Sequence, residues 1–165
     1  MGKQMMIDFH SHLGDIFKDA HNVIYKKNMV AREMPDAFTV REERGFKGPF
    51  MPDPTDQDLR ELIDINHERS RVNSMENMRR DMDEAGVTYA SIMPIMPALS
   101  FEDYEVAHMV EPRFLPFTCP DFRLGMDAGK KCLEDSERGA YGLKFHPVMN
   151  MVSLEDPLVE EVLKY

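Results

Sequence analysis

The sequence predicts an α/β domain built on a parallel sheet or barrel, and three observations predict it. Strand-like and helix-like segments alternate roughly four times along the chain, as in parallel α/β architectures. Several of the helical segments carry readable start and stop residues. A histidine pair closes the first strand, at the end where parallel sheets and barrels hold their chemistry.

Met5-Met6-Ile7-Asp8-Phe9-His10 reads as a short buried strand with a polar end. From Leu13 to Asn73 the pattern is irregular. Gly48-Pro49-Phe50-Met51-Pro52-Asp53-Pro54 reads as turn and loop. Within that stretch Asp56 to Arg71 has helical spacing, with Leu59, Leu62 and Ile63 on one face and Thr55 or Asp56 as cap. A connection this long is expected to be an insertion or lid, so 13–73 is read as an insertion after strand one. The rhythm then becomes regular. Ser74 caps a helix through Ala85, with Met75, Met78 and Met82 facing inward and Gly86 as its stop. A strand over 87–93 ends at Pro94. A helix over 101–111 follows, with Tyr104, Val106 and Met109 as core candidates. Residues 113–119 read as a short strand interrupted by Pro116, and 126–137 as a helix closed by Gly139. Residues 140–146 read as a fourth strand before Pro147, and 153–165 as a helix with Leu158, Val159, Val162 and Leu163 apolar.

Composition narrows the function. The chain has 165 residues and a formal net charge of −10, which argues against a nucleic-acid partner. No apolar run approaches the ~20 residues of a membrane span. Met1-Gly2-Lys3-Gln4 leads straight into the first strand without a secretory h-region, and Met6 breaks the myristoylation pattern. The expectation is a cytoplasmic protein. The two cysteines, Cys119 and Cys132, lack metal-finger spacing and read as reduced, buried thiols. The 15 methionines read as core filling with some adaptable apolar surface. No glycine-rich phosphate loop and no Gly-x-Ser-x-Gly elbow is present, so nucleotide-binding and serine-hydrolase readings gain no support.

His10-Ser11-His12 is the strongest chemical signal. Residues two apart on a strand share a side, so both imidazoles are expected to converge at the strand's carboxyl end as half of a divalent-metal site. Asp8, two residues earlier, is expected on the same face as a carboxylate that orients the ligands from behind. Lys144 and His146, also two apart, close the fourth strand. Lys144 and His146 are the catalytic candidates, with Lys144 read alternatively as a buried-stem lysine pairing with an acid. His146 reads as a ligand, a substrate contact, a proton shuttle or a structural histidine beside Pro147. His21 is expected in a loop, His67 and His108 on helices away from the strand ends, and Arg41, Arg44 and Lys47 as a basic cluster in the insertion.

Ile7-Asp8-Phe9-His10-Ser11-His12-Leu13-Gly14 resembles the first-strand motif of the amidohydrolase superfamily. Gly139-Ala140-Tyr141-Gly142-Leu143-Lys144-Phe145-His146-Pro147 resembles the fourth-strand motif of its amidohydrolase-related branch, which includes the aminocarboxymuconate semialdehyde and resorcylate decarboxylases. Pro112-Arg113-Phe114 and Glu155-Asp156-Pro157 also sit where that branch has similar segments. The resemblance implies a distorted TIM barrel, of which 1–165 would be a single partial domain holding about the first four βα units of eight. It implies one or two divalent metals, usually zinc, with His10 and His12 as ligands, and a small carboxylate- or carbonyl-containing substrate that is hydrolysed or decarboxylated without oxidation. In some branches a fourth-strand lysine is carbamylated and bridges two metals. Further family ligands come from strands five, six and eight, which lie outside this chain. Two other readings remain open: a TatD-like nuclease or PHP-type phosphoesterase, which begin with a similar strand, and a non-catalytic half-barrel. A half-barrel has two open edges, so self-association or a complementing chain is expected.

Overall fold

The computed structural model describes residues 5–16, 20–31 and 55–165. Arg41, Arg44, Lys47 and the proline-rich run of the insertion lie outside them, as do the side chains of His21, Leu59 and Leu62. The fold is mixed α/β with a small open parallel sheet of three strands, β1 (Ile7–Ser11), β2 (Tyr89–Ile92) and β3 (Phe114–Pro116), in the order β1-β2-β3. Between β1 and β2 run α1 (Ala20–Ile24), α2 (Asp56–Ser70) and α3 (Met75–Ala85). Helix α4 (Phe101–Val110) links β2 to β3, and α5 (Ala128–Arg138) follows β3. Two short helices, α6 (Pro147–Asn150) and α7 (Pro157–Leu163), complete it. No described helix is long and apolar enough to cross a membrane.

Local chemistry sets the helix ends. Ser74 accepts from the Asn77 backbone N–H, and Gly86 stops α3 with φ +71°, a left-handed turn that suits glycine. Gly139 ends α5 in the same way. Asp156 caps α7 through the Leu158 N–H, and Pro157 stands at the first helical position, so this helix begins later than the expected Ser153.

The core lies on the helix-covered side of the sheet. Ala90, Ile92 and Phe114 meet Met75, Met82, Leu99, Tyr104 and Ala107 there. Tyr104 is fully buried and clamps the chain after β1: its hydroxyl donates to the Leu13 carbonyl (2.7 Å) and accepts from the Leu13 N–H (3.0 Å). On α4 the buried residues are Phe101, Tyr104 and Ala107. Val106 and Met109 face solvent, Met109 at 76% exposure, because the packed stripe recurs every three residues and misses both. Among the described side chains of α2, Ile65 and Ser70 are buried and Ile63 is exposed.

Two strands differ from expectation. The first is exposed rather than buried, with Ile7 at 46% and Phe9 at 70% exposure, because it is an edge strand and its face away from the core carries no second layer among the described residues. The fourth is not a regular strand. Residues 141–144 still run parallel beside β3: Tyr141 N–H donates to Pro116 O (2.8 Å), Thr118 N–H to Gly142 O (2.9 Å) and Lys144 N–H to Thr118 O (2.7 Å). Pairing ends there because His146 opens α6 with Pro147 next to it.

Candidate functional site

The site grows from an irregularity in β1. Asp8 pairs with Ala90 and Ser11 with Ile92, so three steps on β1 face two on β2, a β-bulge. The extra residue resets the alternation of side chains. Asp8 and Ser11 both fall on the core side, where they line a cavity of about 540 Å³ with Met78, Met82, Val87 and Ala90. Ser11 Oγ donates to Asp8 Oδ2 (2.5 Å), and Asp8 Oδ1 accepts from the His10 backbone N–H (3.1 Å). The expectation that Asp8 shares the histidines' face and orients a ring therefore gives way to a backbone role. The carboxylate holds the bulge that turns His10.

His10 and His12 come together, their ring centroids 5.0 Å apart. Nδ1 of His12 lies 2.7 Å from the Met93 carbonyl oxygen, which can only accept. The neutral ring therefore carries its proton on Nδ1, leaving Nε2 as the lone-pair nitrogen. A carbonyl behind the imidazole is the usual support of a metal ligand. Met93 is itself held by its N–H on the Ser11 carbonyl (2.9 Å), so the support is part of the sheet.

Lys144 reaches this pair from the opposite edge of the sheet, beside β3. Its Nζ lies 3.1 Å from His10 Nε2, across 134 residues of sequence. An ammonium has only donors, so His10 Nε2 accepts. The Lys144 backbone is fixed by its N–H on the Thr118 carbonyl, and Gly142 in the same paired segment makes room for the Phe117 ring, which a Cβ there would meet at 2.5 Å. Both histidines are held below their ordinary pKa of 6.5, first by desolvation. The Lys144 charge and the neighbouring His146 push in the same direction. Asp8 opposes them at His10, and the Met93 carbonyl opposes them at His12. The rings are thus kept neutral, the form that ligates metal.

His146 has the opposite tautomer. Its Nδ1 accepts the Met149 N–H (3.2 Å) as the cap of α6, and its own N–H donates to Asn150 Oδ1 (3.0 Å). The neutral ring then carries its proton on Nε2, as a donor. Asn150 Nδ2 stands 3.8 Å from the buried Cys119 thiol, whose pKa is raised by burial. His67 and His108 are tied elsewhere: His67 Nε2 lies 2.7 Å from the fully buried Asp15, and His108 Nδ1 2.6 Å from the Phe114 carbonyl.

Sequence reasoning missed Met93 and Asn150. Met93 left no sequence signal, because any residue supplies a carbonyl. Pro147 did signal the change at His146, since proline favours the first position of a helix. The donor set suits a divalent metal as a two-imidazole half-site. Among the described residues no group of three or more His, Cys, Asp or Glu stands together to hold an ion. Catalytic zinc normally takes three protein donors, so the pair needs at least one more. Comparison of the chain with protein-family models, with curated proteins and with solved structures found no match.

Proposed function

We propose that this chain carries the first-strand half of the metal site of a hydrolase or non-oxidative decarboxylase of the amidohydrolase-related branch. Its substrate is a small molecule bearing a carboxylate or carbonyl. The sheet is read as the opening part of a TIM-type barrel, with strands appended in sequence order. The observation that carries the reading is the meeting of Lys144 with His10 at the carboxyl end of a parallel sheet. That is where barrel enzymes gather residues from separate strands.

His10 and His12 would hold the metal, zinc by ligand type. When bound, the metal supplies Lewis acidity to a water or substrate oxygen. The chain's own groups do the rest. The Met93 carbonyl keeps the His12 lone pair turned outward. The Lys144 ammonium and the His146 Nε2–H are the donors for an anionic substrate oxygen, held by charge-assisted bonds. The remaining ligands come from outside the described residues, supplied by a complementing chain or a second copy that covers the open strand edges. The net charge of −10 weighs against a nucleic-acid substrate, and the protein is read as cytoplasmic.

Elemental analysis of the purified protein tests the reading, beside a His10→Ala/His12→Ala variant. Near-stoichiometric zinc that disappears in the variant supports it and justifies a screen of carboxylate, amide, ester and phosphate substrates. Turnover of phosphate esters alone would move the assignment to a PHP-type phosphoesterase. Absence of metal after reconstitution with zinc would overturn it.

A further inference from the structure

We propose that Lys144 is a built-in competitor for the metal: its ammonium holds the His10 lone pair in the metal-free protein and must leave before His10 can ligate. The inference rests on the metal-binding reading above and adds a role that the reading does not require.

The geometry makes the two states exclusive. His10 Nε2 has one lone pair, and Lys144 Nζ occupies it at 3.1 Å. A metal at ~2.0–2.1 Å from the same nitrogen stands on the same line. Among the described residues His12 has no such competitor: its Nδ1 is engaged by Met93 and its Nε2 is the lone-pair nitrogen. The pair is therefore unequal: His12 is ready to ligate and His10 is masked. The lysine backbone does not follow when the side chain swings, because its N–H is fixed to the Thr118 carbonyl at 2.7 Å. The displaced ammonium stays tethered at the strand end, two residues from His146. Metal arrival thus converts Lys144 from a cap on a ligand into an unmasked cation beside the His146 Nε2–H. An anionic oxygen, such as that of a carboxylate, is the group such a donor pair receives. Metal loading and anion binding are coupled through one side chain, and such coupling is reciprocal.

The test is zinc affinity, measured by competition with a chromophoric chelator, for the wild-type chain and for Lys144→Met. Removing the competitor is expected to tighten zinc binding roughly three- to tenfold, the range of an ordinary net hydrogen bond, since solvent screens the Lys144 charge at this exposed site. Lys144→Gln is expected to shift affinity in the same direction, and it serves where Lys144→Met does not fold. In the metal-free protein, ring nitrogen NMR signals of His10, which loses a direct hydrogen bond, should move more in either variant than those of His12, which feels Lys144 only through its charge. Unchanged zinc affinity, or an unmoved His10 signal, overturns the proposal. Weaker zinc binding in the variants also overturns it, since a lysine that ligates the metal would behave that way. If neither wild type nor variant binds zinc, the metal reading itself falls.

Discussion

The two faces of the sheet are built to opposite rules. On one, Ala90, Ile92 and Phe114 are sealed under α3 and α4, and the polar groups among them are paired, as Tyr104 is to Leu13. On the other, Ile7 and Phe9 stand in solvent, Phe9 against the edge of Phe117, with His10, His12, Lys144 and His146 beyond them at the strand ends. The helix-covered face supplies stability, and the bare face holds the groups with chemistry. A bulge in β1 separates the two roles, sending Asp8 to the first face and His10 to the second. The same short strand thus contributes to both without burying a charged group in the core.

Substitutions can break this contrast, the largest effect first. Phe114→Ala removes a fully buried ring from the centre of the helix-covered face and is expected to cost ~3–5 kcal/mol in urea unfolding. A loss below ~1 kcal/mol would mean that this face is not the stabilising one.

An intermediate effect comes from pH and belongs to the bare face. His10 and His12 have native pKa values below 6.5, so the unfolded chain binds their protons first as pH falls. Their contribution to stability is complete above about pH 6.5 and declines below it as the unfolded state gains protons. Urea midpoints between pH 7.5 and 5 should therefore fall more steeply for the wild-type protein than for a His10→Gln/His12→Gln variant. Parallel curves would show that burial of the pair does not favour its neutral form.

The smallest change is Phe9→Ala. At 70% exposure the ring has little burial to lose, and a shift within about 0.5 kcal/mol is expected from the same unfolding measurement. A cost approaching that of Phe114→Ala would reveal a cover on the bare face, such as a second copy. Repeating the measurement across protein concentrations would detect that copy.

What could be read from sequence was what short-range physics decides. Ser74 and Gly86 bounded α3 as expected, because a cap and a left-handed stop involve backbone groups within one turn. The alternation of segments predicted a parallel α/β sheet, and the His-x-His spacing put two imidazoles together. Tertiary structure decided the rest. The bulge that removes Asp8 from the histidines' face depends on the register between β1 and β2, two strands far apart in the chain. The approach of Lys144 to His10 depends on residues 141–144 docking beside β3. The two tautomers depend on the Met93 carbonyl and the Met149 N–H, backbone groups that no side-chain pattern encodes. Spacing along a strand names the residues that can share a face, but pairing between strands decides which residues meet and which nitrogen carries the proton.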